Sequence, residues 1–163
     1  MDVEDLSREV GALLRTFGLT LCTAESCTGG LIASSITDVA GSSAYFLGGV
    51  VAYSNESKRR LLDVSERCLA DFGAVSAPVA LAMARNARDL FSATVAISAT
   101  GIAGPGGGSV SKPVGLVYVA IVAPRWAACH RYLLPHDRMG NKRATVARAL
   151  RLVLDWCQGP PLD

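Results

Sequence analysis

The sequence predicts a three-layer α/β/α sandwich built on a mixed, mostly parallel sheet. Three observations carry that reading. Almost wholly apolar stretches alternate with stretches of helical periodicity, the pattern of a sheet covered on both faces. Two late apolar runs lie close enough in sequence to pair antiparallel, which makes the sheet mixed. Half of the 163 residues are hydrophobic, enough for one substantial core. The chain reads as a single domain over 1–163, with 158–163 as a frayed tail.

Each element has its own signal. Leu6, Val10, Leu13, Leu14 and Phe17 recur at helical spacing, and Gly18 closes the pattern as a C-terminal glycine does. "LTLCTA" reads as a buried strand, and Ile32, Ile36 and Val39 mark a helix closed by Gly41. "YFLGGVVAYS" reads as a second strand, its glycine pair placed where something approaches closely. "NESKRRLL" opens a charged helix with Ser54 or Asn55 as N-cap. Val79, Met83, Ala87, Leu90 and Phe91 trace a further helix. "ATVAISAT" is a third strand feeding "GIAGPGGGS", and "PVGLVYVAIVA" and "WAACHRYLL" form the antiparallel pair. Val146, Leu150, Val153, Leu154 and Cys157 share one face of the last helix.

Composition narrows the function. Net charge is +2, and the Arg and Lys residues between Arg138 and Arg151 recur around a helix as a solvated face does. With 6% aromatic residues there is no stacking platform for single strands, so nucleic acid is not an expected partner. The longest apolar run, from Val114, is about half the roughly 20 residues of a membrane-spanning helix, so no membrane partner is expected. The N-terminus is acidic and amphipathic, unlike a signal or transit peptide, which makes the cytoplasm the expected location. The five cysteines form no CxxC and read as free thiols. His130 and His136 have no nearby ligand set, so no metal site is expected. Apolar strand surface without obvious edge charges points to a homodimer or a higher homo-oligomer.

In an open α/β sheet, ligands sit where strands end and helices begin. Three strands here end in polar or glycine-rich loops: "ESCTGG", "YSNESK" and "TGIAGPGGGS". The last has neither Walker A nor GxGxxG spacing, and reads either as a phosphate cradle or as a plain flexible loop. "SVSK" lies in a loop against Pro113, where an S-x-x-K nucleophile pair cannot form its helical turn. Ser26 sits where a strand turns into a helix, a place for a nucleophile beside backbone amides, or for an ordinary N-cap. Cys27 is the rival nucleophile, without a histidine in a neighbouring segment. Tyr53 and Lys58 can face the same crevice, where a desolvated lysine acts as a serine's base and a tyrosine relays or orients the proton.

With these segments in order, the chain resembles the CinA C-terminal domain family, the nicotinamide-nucleotide amidases. The matching stretches are "TAESCTGGLIASSITDVAGSSAYF", "GGVVAYSNESK", "GAVS", "TGIAGPGGG" and "KPVGLVYVA", within a resemblance running from about Leu6 to Leu154. The resemblance implies hydrolysis of the carboxamide of nicotinamide mononucleotide to nicotinate mononucleotide and ammonia. It also implies an α/β/α sandwich without metal or cofactor.

Carried over by position, Ser26 is the nucleophile, Tyr53 and Lys58 handle its proton, and Thr100 lies near the reacting centre. Glu25, Thr28, Gly29 and Gly30 of the first loop, and Gly101, Ala103, Gly104, Gly106 and Gly107 of the last, shape the substrate site. Arg143 falls near an arginine of the last helix that would hold phosphate, with Arg138 as its substitute. Many members carry a further N-terminal domain, and this chain looks like the stand-alone form. The alternative to an enzyme is a nucleotide-binding regulatory module that keeps the crevice without turnover.

Overall fold

The computed structural model describes residues 1–159, so 160–163 of the expected tail lie outside the described residues. Gln158, also expected in that tail, belongs to the last helix. Five strands form one sheet in the order β2 (Phe46–Val51), β1 (Leu21–Glu25), β3 (Val95–Gly101), β4 (Leu116–Ala123), β5 (Trp126–Leu133). β1 runs parallel to β2 and β3, whereas β4 is antiparallel to both β3 and β5. Four strands therefore point one way and β4 alone opposes them, the mixed and mostly parallel sheet expected.

Helices cover both faces. α1 (Val3–Thr16), α2 (Leu31–Thr37) and α6 (Arg138–Gln158) pack against one another on one side. α3 (Asn55–Leu62), α4 (Glu66–Phe72) and α5 (Ala77–Phe91) lie on the other, with α5 the member that reaches the central strands. Alternation along the strands divides the core in two. Val95, Ile97, Val119 and Ile121 face α1 and α6, whereas Ala24, Ala96 and Ala120 face α5. α5 answers with Ala80, Ala84 and Ala87, so small residues on both surfaces let helix and sheet approach closely.

The glycine pair of β2 is explained by what approaches it. A Cβ at Gly48 would lie 2.6 Å from the ring of Phe91, and one at Gly49 would strike the Thr23 hydroxyl. Ser54, rather than Asn55, caps α3, its Oγ accepting from the Ser57 amide at 3.0 Å. α4 and a 3-10 turn at Ser42–Ala44 are additions to the expected elements. α4 has no buried residue, so it offers no apolar stripe to read.

Candidate active site

Because β1, β2 and β3 are parallel, their C-terminal ends emerge at one edge of the sheet. The turn after β1 is built from its last strand residue. Glu25 is buried, and its carboxylate accepts from the amides of Gly30 at 3.1 Å, Ile32 at 3.0 Å and Ala33 at 2.8 Å. Gly29 and Gly30 take φ of +64° and +96°, the left-handed region that lets the chain double back into α2. The Ser26 amide donates to the Ala99 carbonyl of β3 at 2.9 Å, so the turn stays fastened to the sheet.

Lys58 meets this turn from α3. Its side chain is 2% exposed, and its Nζ donates to Ser26 Oγ at 3.0 Å. Two further acceptors are the carbonyls of Ala52 at 3.2 Å and Tyr53 at 3.4 Å, where the chain leaves β2. Every ion pair among the described residues is made by an arginine, so Lys58 has no carboxylate partner. Burial accordingly lowers its pKa below the ordinary lysine value, opposed only by the neighbouring Cys27. A neutral amine has two N–H bonds and one lone pair. With the two carbonyls taking the N–H bonds, the lone pair is left for the Ser26 hydroxyl.

The pair opens into a cleft of about 190 Å³, lined also by Cys27, Asn55, Ala74, Val75 and Thr100. Thr100 is buried, and its hydroxyl donates to the Ala74 carbonyl at 2.8 Å, fixing the Ala74–Val75 wall to β3. Gly101 and Ala103 line the cleft from the glycine-rich loop. Gly106 and Gly107 are exposed and stand outside its lining. Thr28 is buried, and its hydroxyl has no partner among the described residues.

At the mouth stands Arg138, from the first turn of α6. It donates to the Gly104 carbonyl at 2.7 Å and to the Tyr53 hydroxyl at 3.1 Å. Tyr53 therefore touches Lys58 through its carbonyl, while the residue as a whole is 58% exposed and its phenol faces Arg138. That phenol makes no hydrogen bond to Ser26 in the structure, and its one protein partner among the described residues is Arg138. Arg143 is exposed on α6 and does not line the cleft, whereas Arg138 does.

Lys142, one turn beyond Arg138, brings its Nζ to 3.6 Å from where a Gly29 Cβ would be. Asn55, Ala74, Val75 and Lys142 were not anticipated. Ala74 and Val75 belong to "GAVS", which the α4–α5 loop places as one wall of the cleft.

Burial pushes the Cys27 thiol up to about 12, opposed by its own backbone amide and by Lys58 and Lys142, with Glu25 adding to the rise. A thiol so placed is a poor source of thiolate. Lys112 of "SVSK" donates to the Phe72 carbonyl at 2.7 Å and so caps the C-terminal end of α4.

Among amides of the turn, those of Ser26, Gly29, Gly30 and Leu31 have acceptors within the chain. That of Thr28 has none among the described residues, and that of Cys27 has only its own thiol beside it. They are the donors left for charge developing beside Ser26.

The family model of the CinA C-terminal domain matches residues 3–157. The chain belongs to the CinA C-terminal domain family. A CinA-like protein of Geotalea uraniireducens is 52% identical over 155 residues, covering 95% of this chain and 36% of that protein. One from Geobacter sulfurreducens is 52% identical over 147 residues, covering 90% of this chain and 35% of the relative. This CinA domain thus spans about a third of the length of these curated relatives. Among solved structures, the competence/damage inducible protein CihA from Agrobacterium tumefaciens superposes with a TM-score of 0.94 at 43% identity, covering 98% of this chain and 97% of that one. A CinA superfamily protein from Klebsiella pneumoniae gives a TM-score of 0.93 at 31% identity, covering 97% of this chain and 99% of that one.

Proposed function

We propose that this CinA domain is an amidohydrolase that deamidates nicotinamide mononucleotide, with Ser26 as nucleophile and Lys58 as its base. The observation that carries the reading is the buried Lys58 Nζ, unpaired by any carboxylate and 3.0 Å from Ser26 Oγ. Lys58 in its neutral form takes the Ser26 proton as Oγ attacks the carboxamide carbon. The Cys27 and Thr28 amides hold the resulting oxyanion. The C–N bond then breaks, and the Lys58 ammonium returns its proton to the departing amine, which leaves as ammonia. A water that gives its proton to Lys58 hydrolyses the Ser26 ester, releasing the carboxylate and restoring the serine.

The cleft of about 190 Å³ is smaller than the 300–1,000 Å³ usual for whole small-molecule ligands, and suits the reacting ring alone. In this reading the ribose phosphate lies at the mouth, with Arg138 and Lys142 as its cationic partners. The N-terminal end of α2 is closed to it, because Glu25 already accepts from the Ile32 and Ala33 amides.

Ammonia release from nicotinamide mononucleotide by the purified protein tests the reading, and its absence would refute it. Nicotinamide riboside should be the poorer substrate by about 10- to 150-fold, the worth of a charge-assisted contact of roughly 1.5–3 kcal/mol. Equal turnover of the two would show that the phosphate is not read.

A further inference from the structure

Glu25 and Lys58 are the only charged residues fully buried among the described residues, and both flank Ser26. Burying a carboxylate is costly unless hydrogen bonds offset the loss of water. Glu25 has three such bonds, one from the Gly30 amide just before α2 and two from the Ile32 and Ala33 amides within it. Capping a helix does not need this. The other α-helices take their acceptor from the residue just before them, a serine hydroxyl at Ser54, Ser65 and Ser76 and an exposed carboxylate at Asp2 and Asp137, so none of them buries a charge to do it. α2 alone begins at a glycine without a side-chain cap, and draws its acceptor from the strand on the far side of the turn. The bonds from residue 25 to residues 30, 32 and 33 close a ring around the Ser26–Gly30 turn. That ring fixes where Ser26 Oγ stands, and it takes up the Ile32 and Ala33 amides of α2 without using those of Cys27 and Thr28.

We infer that Glu25 is a positioning residue: its carboxylate holds the β1–α2 turn so that Ser26 meets Lys58, and it does not touch substrate. The inference rests on Ser26 being the nucleophile proposed above. A glutamine at this position offers one acceptor oxygen and turns an NH2 group toward amide donors, so the ring loosens. Misplacement by about 1 Å is worth about 100-fold in rate.

The test uses two readouts. One is labelling of Ser26 by a fluorophosphonate, in which the Oγ–P bond forms, fluoride leaves and Lys58 takes the hydroxyl proton; it is followed by intact mass and needs no knowledge of the substrate. The other is the split between kcat and KM on nicotinamide mononucleotide. Glu25→Gln, folded by circular dichroism, should label about 10- to 100-fold more slowly, with kcat falling alike and KM within about twofold of wild type. Glu25→Asp, which keeps the charge but sits one methylene short, should fall in between and serves if the glutamine protein does not fold.

Wild-type labelling in both variants would overturn the inference, even with a lowered melting temperature, since the role would then be structural only. A raised KM at unchanged kcat would overturn it in favour of a substrate contact. A wild-type protein that is not labelled at Ser26 would remove the nucleophile and overturn the proposed mechanism with it. Labelling without ammonia release would instead leave the positioning role standing and sink the amide substrate.

Discussion

Solvent exclusion favours the neutral amine of Lys58, the form able to accept a proton, and two consequences follow. The first is a pH dependence. A base must be neutral to act, so kcat/KM should fall about tenfold per pH unit on the acid side of the Lys58 pKa. Burial places that limb below the ordinary lysine value, because desolvation disfavours the ammonium. A flat profile down through the acid range would contradict a lysine base. The second concerns Lys58→Arg, which should be as inactive as Lys58→Ala, since guanidinium cannot give up its proton to become a base. Measurable recovery in the arginine variant would show that only positive charge is needed. Ser26 and Lys58 were legible in the sequence because a strand end and a helix first turn fix where such side chains point. The Tyr53 phenol was not, since its direction depends on Arg138, 85 residues further along.

Among the elements, α6 does the most to shape the mouth of the cleft. Its buried Asn141 donates to the Ala103 carbonyl at 3.0 Å and accepts from the His136 amide at 3.1 Å. One side chain thereby ties the start of α6 to the glycine-rich loop, with Arg138 between them. Asn141→Ala leaves a buried carbonyl and an amide unpaired, at a cost of about 1–3 kcal/mol each. Thermal unfolding should show a lowered midpoint, and KM should rise as Arg138 loses its setting. An unchanged midpoint and KM would mean that water replaces the side chain at no cost.

The apolar runs of β3, β4 and β5 and the periodicity of α1, α5 and α6 made most elements readable. α4 escaped because a helix with no buried face carries no periodic signal. Its C-terminal partner Lys112 escaped too, being drawn from a loop 40 residues away.

At the scale of the molecule, the parallel run of β1, β2 and β3 brings Ser26, Lys58 and Thr100 to one sheet edge from three separate segments. That convergence was visible as three unusual loops at three strand ends. What sequence left open was which cation faces the cleft, because helix phase at the start of α6 decides between Arg138 and Arg143. Arg138→Ala should raise KM for nicotinamide mononucleotide by about tenfold or more and leave nicotinamide riboside nearly unaffected, whereas Arg143→Ala should alter neither. The reverse pattern would move the phosphate to the other face of α6.

The central claim is that the hydroxyl of Ser26, and not the thiol beside it, attacks the amide. Ser26→Ala and Cys27→Ala assayed side by side for ammonia release from nicotinamide mononucleotide test it most directly. A folded Ser26→Ala protein should show no turnover, and Cys27→Ala should keep most of the wild-type rate. An active Ser26→Ala protein beside a folded, inactive Cys27→Ala protein would contradict it.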